Sequence, residues 1–524
     1  MKIERKYLLA AILLFLLAAV TTFSGRLWSE MGDSWEHAAS VQELASNLRN
    51  PSNPFLAAEG STTPRFTLYI LLLALAKRIS GLPVIDLMEL AGMFNLLLLL
   101  TGIYAFARAY ARNNYQPFFT LITLLLFWGR GWLYSSEYSL QFLTSSLFHP
   151  SIFAFSLSFW GWYFFLAFKE GKTAASLVMT AIVNLLITST HPLTAGFYFI
   201  VMFLLNFHQK KEILPGFYLI GLSFLLSLFL MLFWPYFSII EAFKKGALSG
   251  GWYPTGNYFY SNIIAGAGLS LLGIPAAAYY LFRGRHLCII SGLVISLLIY
   301  TASYAANLPL LGRYIYFSMF HLQLLLSLYL AELWCAPSPG EGVSVIRKLL
   351  KGASVLIIAA LFLYQVRLMD LSGMLRCCVN FTPKFSIERC SHPKEKYAFL
   401  ATHLKPGNIV MSDTITSWVI PAMSGAKVVS LFHDNPLVTD NAARMNDTRN
   451  FFSPGTSQQE RMEIVKRYGA THILIHKGLE KYEYAPLLQA WGIFVPVFTP
   501  DLMGSLASLG TIVFRDDAYI LARL

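Results

Sequence analysis

The sequence predicts a polytopic α-helical membrane protein over residues 1–370, followed by a soluble α/β domain over residues 371–524. Three observations carry this reading. The 524 residues are 56% hydrophobic and only 13% charged. Apolar runs of membrane-spanning length recur between Tyr7 and Asp370. Beyond Asp370, strand-like and helix-like segments alternate in an ordinary polar composition. The net charge of +12 does not point to nucleic acid, because Lys and Arg sit mostly in short clusters between the apolar runs. There they set orientation and draw anionic lipid.

In chain order, Lys2, Arg5 and Lys6 precede the first apolar run as in a signal peptide, but no small-residue cleavage site precedes Gly25-Arg26. Tyr7 to Phe23 therefore reads as a retained helix. About eleven spans follow from the apolar runs, near 7–23, 84–107, 115–129, 150–168, 174–190, 193–207, 213–236, 263–282, 287–305, 313–333 and 353–369. With the N-terminus cytoplasmic, the basic connections at Arg108/Arg112, Lys169/Lys172, Lys210/Lys211, Arg283/Arg285 and Arg347/Lys348/Lys351 all fall inside. The positive-inside rule is then met at each cytoplasmic turn.

Thr67 to Ala76 is apolar but short, ends in Lys77-Arg78, and as a span would reverse each later loop. It is expected to be an interfacial or re-entrant helix in a long external loop, Ser24 to Pro83. In the soluble domain, strands are expected at Asn408 to Ser412, Ala426 to Leu431, Thr471 to His476, Ile512 to Arg515 and Tyr519 to Leu521, with helices at Ile415 to Met423 and Gln458 to Tyr468. No Gly-rich phosphate loop occurs at a strand-to-helix turn, so nucleotide binding has no support.

The polar residues of the external loops are the candidates for chemistry. Asp33, Glu36 and His37, in Met31-Gly-Asp-Ser-Trp-Glu-His37, share one face if the segment is helical. Such a pair of acids can act as general base and orienting acceptor, or give oxygens to a divalent cation. As a bland alternative, Asp33-Ser-Trp-Glu36 also fits a capping box. Glu137 is a second acid in the next external loop; either it meets the first cluster or it is simply solvated. His191, in a tight His-Pro turn, can donate to a phosphate or a sugar hydroxyl, or merely precede a helix-breaking proline. Arg313 and Arg65 can grip phosphate or act as snorkelling anchors. Trp252 and Tyr253, in an aromatic turn, can stack on a sugar or belong to the interfacial belt. Cys377, Cys378 and Cys390 cluster after the last span without a histidine at zinc-finger spacing, so a disulfide from Cys390 to Cys377 or Cys378 fits better than a metal.

Together these residues resemble the GT-C superfamily of integral-membrane glycosyltransferases, which use polyprenyl-phosphate-linked donors. The likeness rests on one helix, a long loop with the early acidic motif Asp33-Ser-Trp-Glu-His37, an amphipathic segment after Pro64-Arg65, a second acid at Glu137, about eleven spans and a C-terminal α/β domain. The chain departs from it in having Thr-Pro-Arg where related transferases have Lys-Pro-Pro, and in lacking a Trp-Trp-Asp signature. The resemblance implies an inverting glycosyltransferase of the cell (inner) membrane, with its site and C-terminal domain on the extracytoplasmic side. Such an enzyme would move a sugar from a polyprenyl phosphate to a hydroxyl of a glycan, lipid or protein. Asp33 would be the base, Glu36 and His37 would position substrates, Arg313 would hold the leaving phosphate, and Asp33 with Glu137 could bind Mg or Mn. Two rival readings are a flippase for lipid-linked sugars and a polysaccharide ligase or polymerase. Transport sites lie near the midplane, which argues against the first.

Overall fold

The computed structural model describes residues 4–25, 28, 32–58, 60–132, 136–171, 174–208, 213–245, 259–335, 341–368, 392–432, 435, 437–481 and 494–524. Trp252, Tyr253, Cys377, Cys378 and Cys390 lie outside them.

Helices dominate residues 4–368. They are α1 (Arg5–Phe23), α2 (Asp33–Ser46), α3 (Leu68–Ser80), α4 (Val84–Ala111), α5 (Gln116–Leu126), α6 (Leu140–Ser146), α7 (Pro150–Lys169), α8 (Ala174–Thr188), α9 (Pro192–His208), α10 (Ile213–Leu232), α11 (Ile239–Lys244), α12 (Ile263–Ala267), α13 (Gly273–Phe282), α14 (Leu287–Ala305), α15 (Tyr314–Cys335) and α16 (Glu341–Leu368). Among the described residues, eight helical stretches are long and apolar enough to cross a membrane, and α5, α8 and α9 are shorter apolar helices. These elements fall on the apolar runs read from the sequence. About twenty helical residues span roughly 30 Å, the thickness of the hydrocarbon layer. α4, α7 and α15 form the inside of the bundle, and on α15 both faces are covered. α1, α10 and α16 instead expose rows of leucine, isoleucine and phenylalanine, as expected for surfaces solvated by lipid.

The short apolar segment after Arg65 becomes α3, a helix of 13 residues stopped by Gly81 in the left-handed conformation (φ 69°). It buries Tyr69, Ile70, Leu73 and Ala74 against its neighbours, chiefly α2. Its length is about 20 Å, short of a crossing.

The two ends of the bundle differ in charge. At one end, Arg112 of the α4 cap pairs with Glu170 after α7 (2.7 Å), Arg285 before α14 pairs with Glu332 of α15 (2.6 Å), and Lys6 and Lys351 both lie over Trp334. The opposite end carries α2, the Arg65 loop, and the starts of α4, α7, α9 and α15.

The C-terminal domain sits on that second end. Its strands β1 (Ile409–Met411), β2 (Lys427–Val428), β3 (His472–His476), β4 (Thr511–Arg515) and β5 (Tyr519–Arg523) form a sheet of order β2-β1-β3-β5-β4. β1 runs parallel to β2 and β3, whereas β5 is antiparallel to both β3 and β4, with Val410 opposite His472 and Ile473 opposite Ala522. The sheet edge at β2 extends into the first loop. Val428 donates its N–H to the Phe55 carbonyl (2.7 Å), and Lys427 Nζ reaches both Glu43 Oε2 and the Asn53 carbonyl (2.6 Å each). Asn435 donates to the Thr62 carbonyl (2.8 Å), and Tyr397 packs edge-on against Trp35 of α2. A second tie joins the domain to α4, where Glu89 accepts from Trp28 (3.1 Å) and bonds His392 (3.0 Å), beside the Lys394–Asp86 ion pair.

Candidate active site

The acidic motif forms the first turn of α2. The expected capping box is not what forms: Gly32 takes the N-cap position at φ 137°, a conformation open only to glycine, and Asp33 becomes the first helical residue. The Asp33 carboxylate is turned to a guanidinium instead of its own backbone. Arg65 Nη2 lies 3.1 Å from Asp33 Oδ1, and Arg65 Nε pairs with Glu36 Oε2. One planar cation thus bridges two acids three residues apart, as the shared helix face predicts. Glu36 is only 3% exposed in this arrangement, while Asp33 keeps 31% of its side chain open. Of the two, Asp33 is the carboxylate a substrate can reach.

Three histidines surround this pair. His37, one residue beyond Glu36, stands edge-on to His149, with ring centroids 5.2 Å apart. His149 caps α7 ahead of Pro150 and bonds Ser34 of α2 through Nε2 (3.1 Å). His191, ahead of Pro192 on α9, bonds Thr194 through Nδ1 (2.8 Å). Burial holds all three rings neutral. It lowers His37 well below the usual imidazole range, aided by the Arg65 charge, and brings His149 down to about 4. His191 falls to about 3, through burial first and the Arg313 guanidinium second, against an opposing pull from Asp33. Arg313 ends a tight turn (Pro309–Arg313) that leads into α15.

The structure therefore gathers Asp33, Glu36, His37, Arg65, His191 and Arg313 from four separate segments. Arg65, expected on phosphate, is placed on the two acids. Glu137 is fully buried, and its carboxylate accepts from the Trp132 amide (2.8 Å) and Ser139 Oγ (2.6 Å), beside Gly131. Its bonds close its own loop. Among the described residues no group of three His, Cys, Asp or Glu side chains is arranged to hold a metal. With Asp33 facing Arg65 and Glu137 bonded to Trp132 and Ser139, both acids of the possible Mg or Mn site carry other contacts.

His149 was not singled out from the sequence. A signal was there: His149-Pro150 and His191-Pro192 are the same dipeptide at the start of an apolar run, and both place the ring at the same end of the bundle.

With this geometry in view, the fold is one shared with solved structures of other proteins. The chain is similar to ArnT from Cupriavidus metallidurans, a structure bound to undecaprenyl phosphate, with a TM-score of 0.54 and 13% identity over 98% of this chain and 97% of that one. It is also similar to the oligosaccharyltransferase of Archaeoglobus fulgidus (TM-score 0.52, 11% identity, 91% of this chain and 71% of that chain). A third match is the mycobacterial arabinofuranosyltransferase AftD (TM-score 0.50, 13% identity), of which the chain spans 35% while 91% of its own length is covered. No protein-family model and no curated protein sequence matches the chain. At such identities the likeness is one of fold.

Proposed function

We propose that the protein is an inverting glycosyltransferase that moves a sugar from a polyprenyl-phosphate donor to an acceptor hydroxyl at the outer membrane face. The observation that carries the reading is the Asp33 carboxylate. It is part-exposed, held by Arg65, ringed by neutral imidazoles, and at the same end of the bundle as Arg313. The basic end with Arg112, Arg285 and Lys351 is the cytoplasmic one by the positive-inside rule, which puts Asp33 and the C-terminal domain outside. The rival flippase reading gains nothing from this arrangement, since the site occupies one end and not the middle of the bundle.

In the reaction, Asp33 takes the proton of the acceptor hydroxyl as its oxygen bonds to the anomeric carbon. The bond from that carbon to the phosphate oxygen breaks with its electron pair, and the lipid phosphate leaves as an anion that Arg313 stabilises. Arg65 aims Asp33 and fixes Glu36 behind it. His37 contributes to positioning substrate. The fold shared with ArnT, whose structure holds undecaprenyl phosphate, supports the donor class.

Asp33→Asn keeps shape and removes the base. Transfer from undecaprenyl-phosphate-linked monosaccharides by the purified protein is expected to drop by about a hundredfold or more, with thermal unfolding little changed. Turnover within about threefold of wild type would remove Asp33 from the chemistry.

A further inference from the structure

Around Asp33 and Arg65 the fold leaves buried polar atoms unmatched. Among the described residues, Nδ1 of His37 and Nδ1 of His149 have no hydrogen-bond partner, although each residue is only 7% exposed. The same holds for hydroxyls of Thr67, Ser151 and Thr190, in the segments that carry Arg65, His149 and His191. The Leu68 amide bonds the Ser189 carbonyl (3.0 Å), so two of these segments are joined. Buried polar atoms are nearly always paired, and a group of orphans at one place calls for a ligand that pairs them.

Charge and hydrogen-bonding capacity narrow that ligand. Both carboxylates of the cluster, Asp33 and Glu36, are already engaged by Arg65. His37 and His149 are held neutral by burial. A neutral imidazole donates or accepts at Nδ1 according to its tautomer, and serine and threonine hydroxyls do both. Groups of this type match alcohols, which also donate and accept.

We propose that His37 and His149 form a hydroxyl-recognition subsite for the donor's sugar. This rests on the glycosyltransferase reading above. His149 is the specific anchor: Nε2 is fixed by Ser34 (3.1 Å), so Nδ1 is presented in one orientation, close to the carboxylate that takes the acceptor proton.

The test uses the full chain in lipid nanodiscs and measures equilibrium binding of undecaprenyl phosphate alone and of the same lipid carrying glucose, mannose, galactose or arabinofuranose. At least one of these sugars is expected to improve affinity about tenfold over the bare lipid phosphate. His149→Gln places an amide where Nε2 meets Ser34 and deletes Nδ1, so it should lose about tenfold on the preferred sugar lipid and nothing on the bare lipid. His149→Asn places its amide near Nδ1 and should retain more of the sugar increment. The reverse order would make His149 only a brace for Ser34 and overturn the proposal. Bare lipid phosphate bound as tightly as every sugar lipid would also overturn it, while leaving the glycosyltransferase reading in place. Binding of none of these lipids would overturn both.

Discussion

Replacing Arg65 by methionine tests the bridge that organises the site. Methionine keeps much of the side-chain volume but removes the cation that faces Asp33 at 3.1 Å and also pairs with Glu36. The two arms are unequal. Glu36 is 3% exposed, so its charge loses a partner in a nearly dry setting, where breaking an ion pair costs about 3–5 kcal/mol. Asp33 is 31% exposed and its arm is screened, which limits its share to about 1 kcal/mol or less. Relaxation of a part-exposed arginine site (17%) favours the lower end, so about 3 kcal/mol in all is expected. For a chain of this size that is a fall of roughly 3 °C in thermal unfolding midpoint, measured in detergent. Glu36→Gln removes the stranded charge, so the double variant should recover about 2 kcal/mol of the loss. An Arg65→Met midpoint within about 1 °C of wild type would refute the reasoning. So would a double variant no more stable than Arg65→Met alone.

Three further outcomes follow from the same geometry. His149 is held near pH 4 and His191 near pH 3 in the folded protein, against about 6.5 when unfolded. The unfolded chain then binds more protons, so their stabilisation is whole above pH 6.5 and is lost as pH falls towards 4; the His149 share is about 3 kcal/mol. His149→Gln should flatten the pH dependence of unfolding over that window, and an unchanged slope would count against the burial argument. Lys427→Met cuts the ties to Glu43 and Asn53, so the Val428 and Ala57 amides that join β2 to the first loop should exchange with deuterium about tenfold faster. Protection equal to wild type would mean that the β2 edge holds the loop without Lys427. Arg313→Lys keeps the charge but loses the planar two-point grip, so donor binding should weaken, and further in Arg313→Ala. Wild-type affinity in both would make Arg313 an interfacial anchor.

Much of the fold was legible in the chain. Membrane spans announce themselves because a helix must hide its backbone from lipid with about twenty apolar residues, whatever its neighbours are. The runs at 84–107, 150–168 and 287–305 map onto α4, α7 and α14 for that reason. The C-terminal strands were legible from β-rich runs set between helices, and β1, β3, β4 and β5 fall where those runs lie. Gly32 was a different matter. The choice between a cap and an active-site acid for Asp33 depends on a φ of 137° one residue earlier and on a guanidinium 32 positions later. Local sequence carries neither.

By itself, then, the sequence determined the elements and the residue types from which an acid-centred site could be built. These are local properties, set by hydropathy, periodicity and charge within windows of ten to twenty residues. Only the tertiary structure decided the partners. It gave Arg65 to two acids, folded Glu137 onto its own loop, brought His149 beside His37, and docked β2 on the first loop. Those choices depend on contacts between segments tens to hundreds of residues apart, where a side chain's role is settled by whichever charge or hydrogen-bonding group the packing of distant helices places against it.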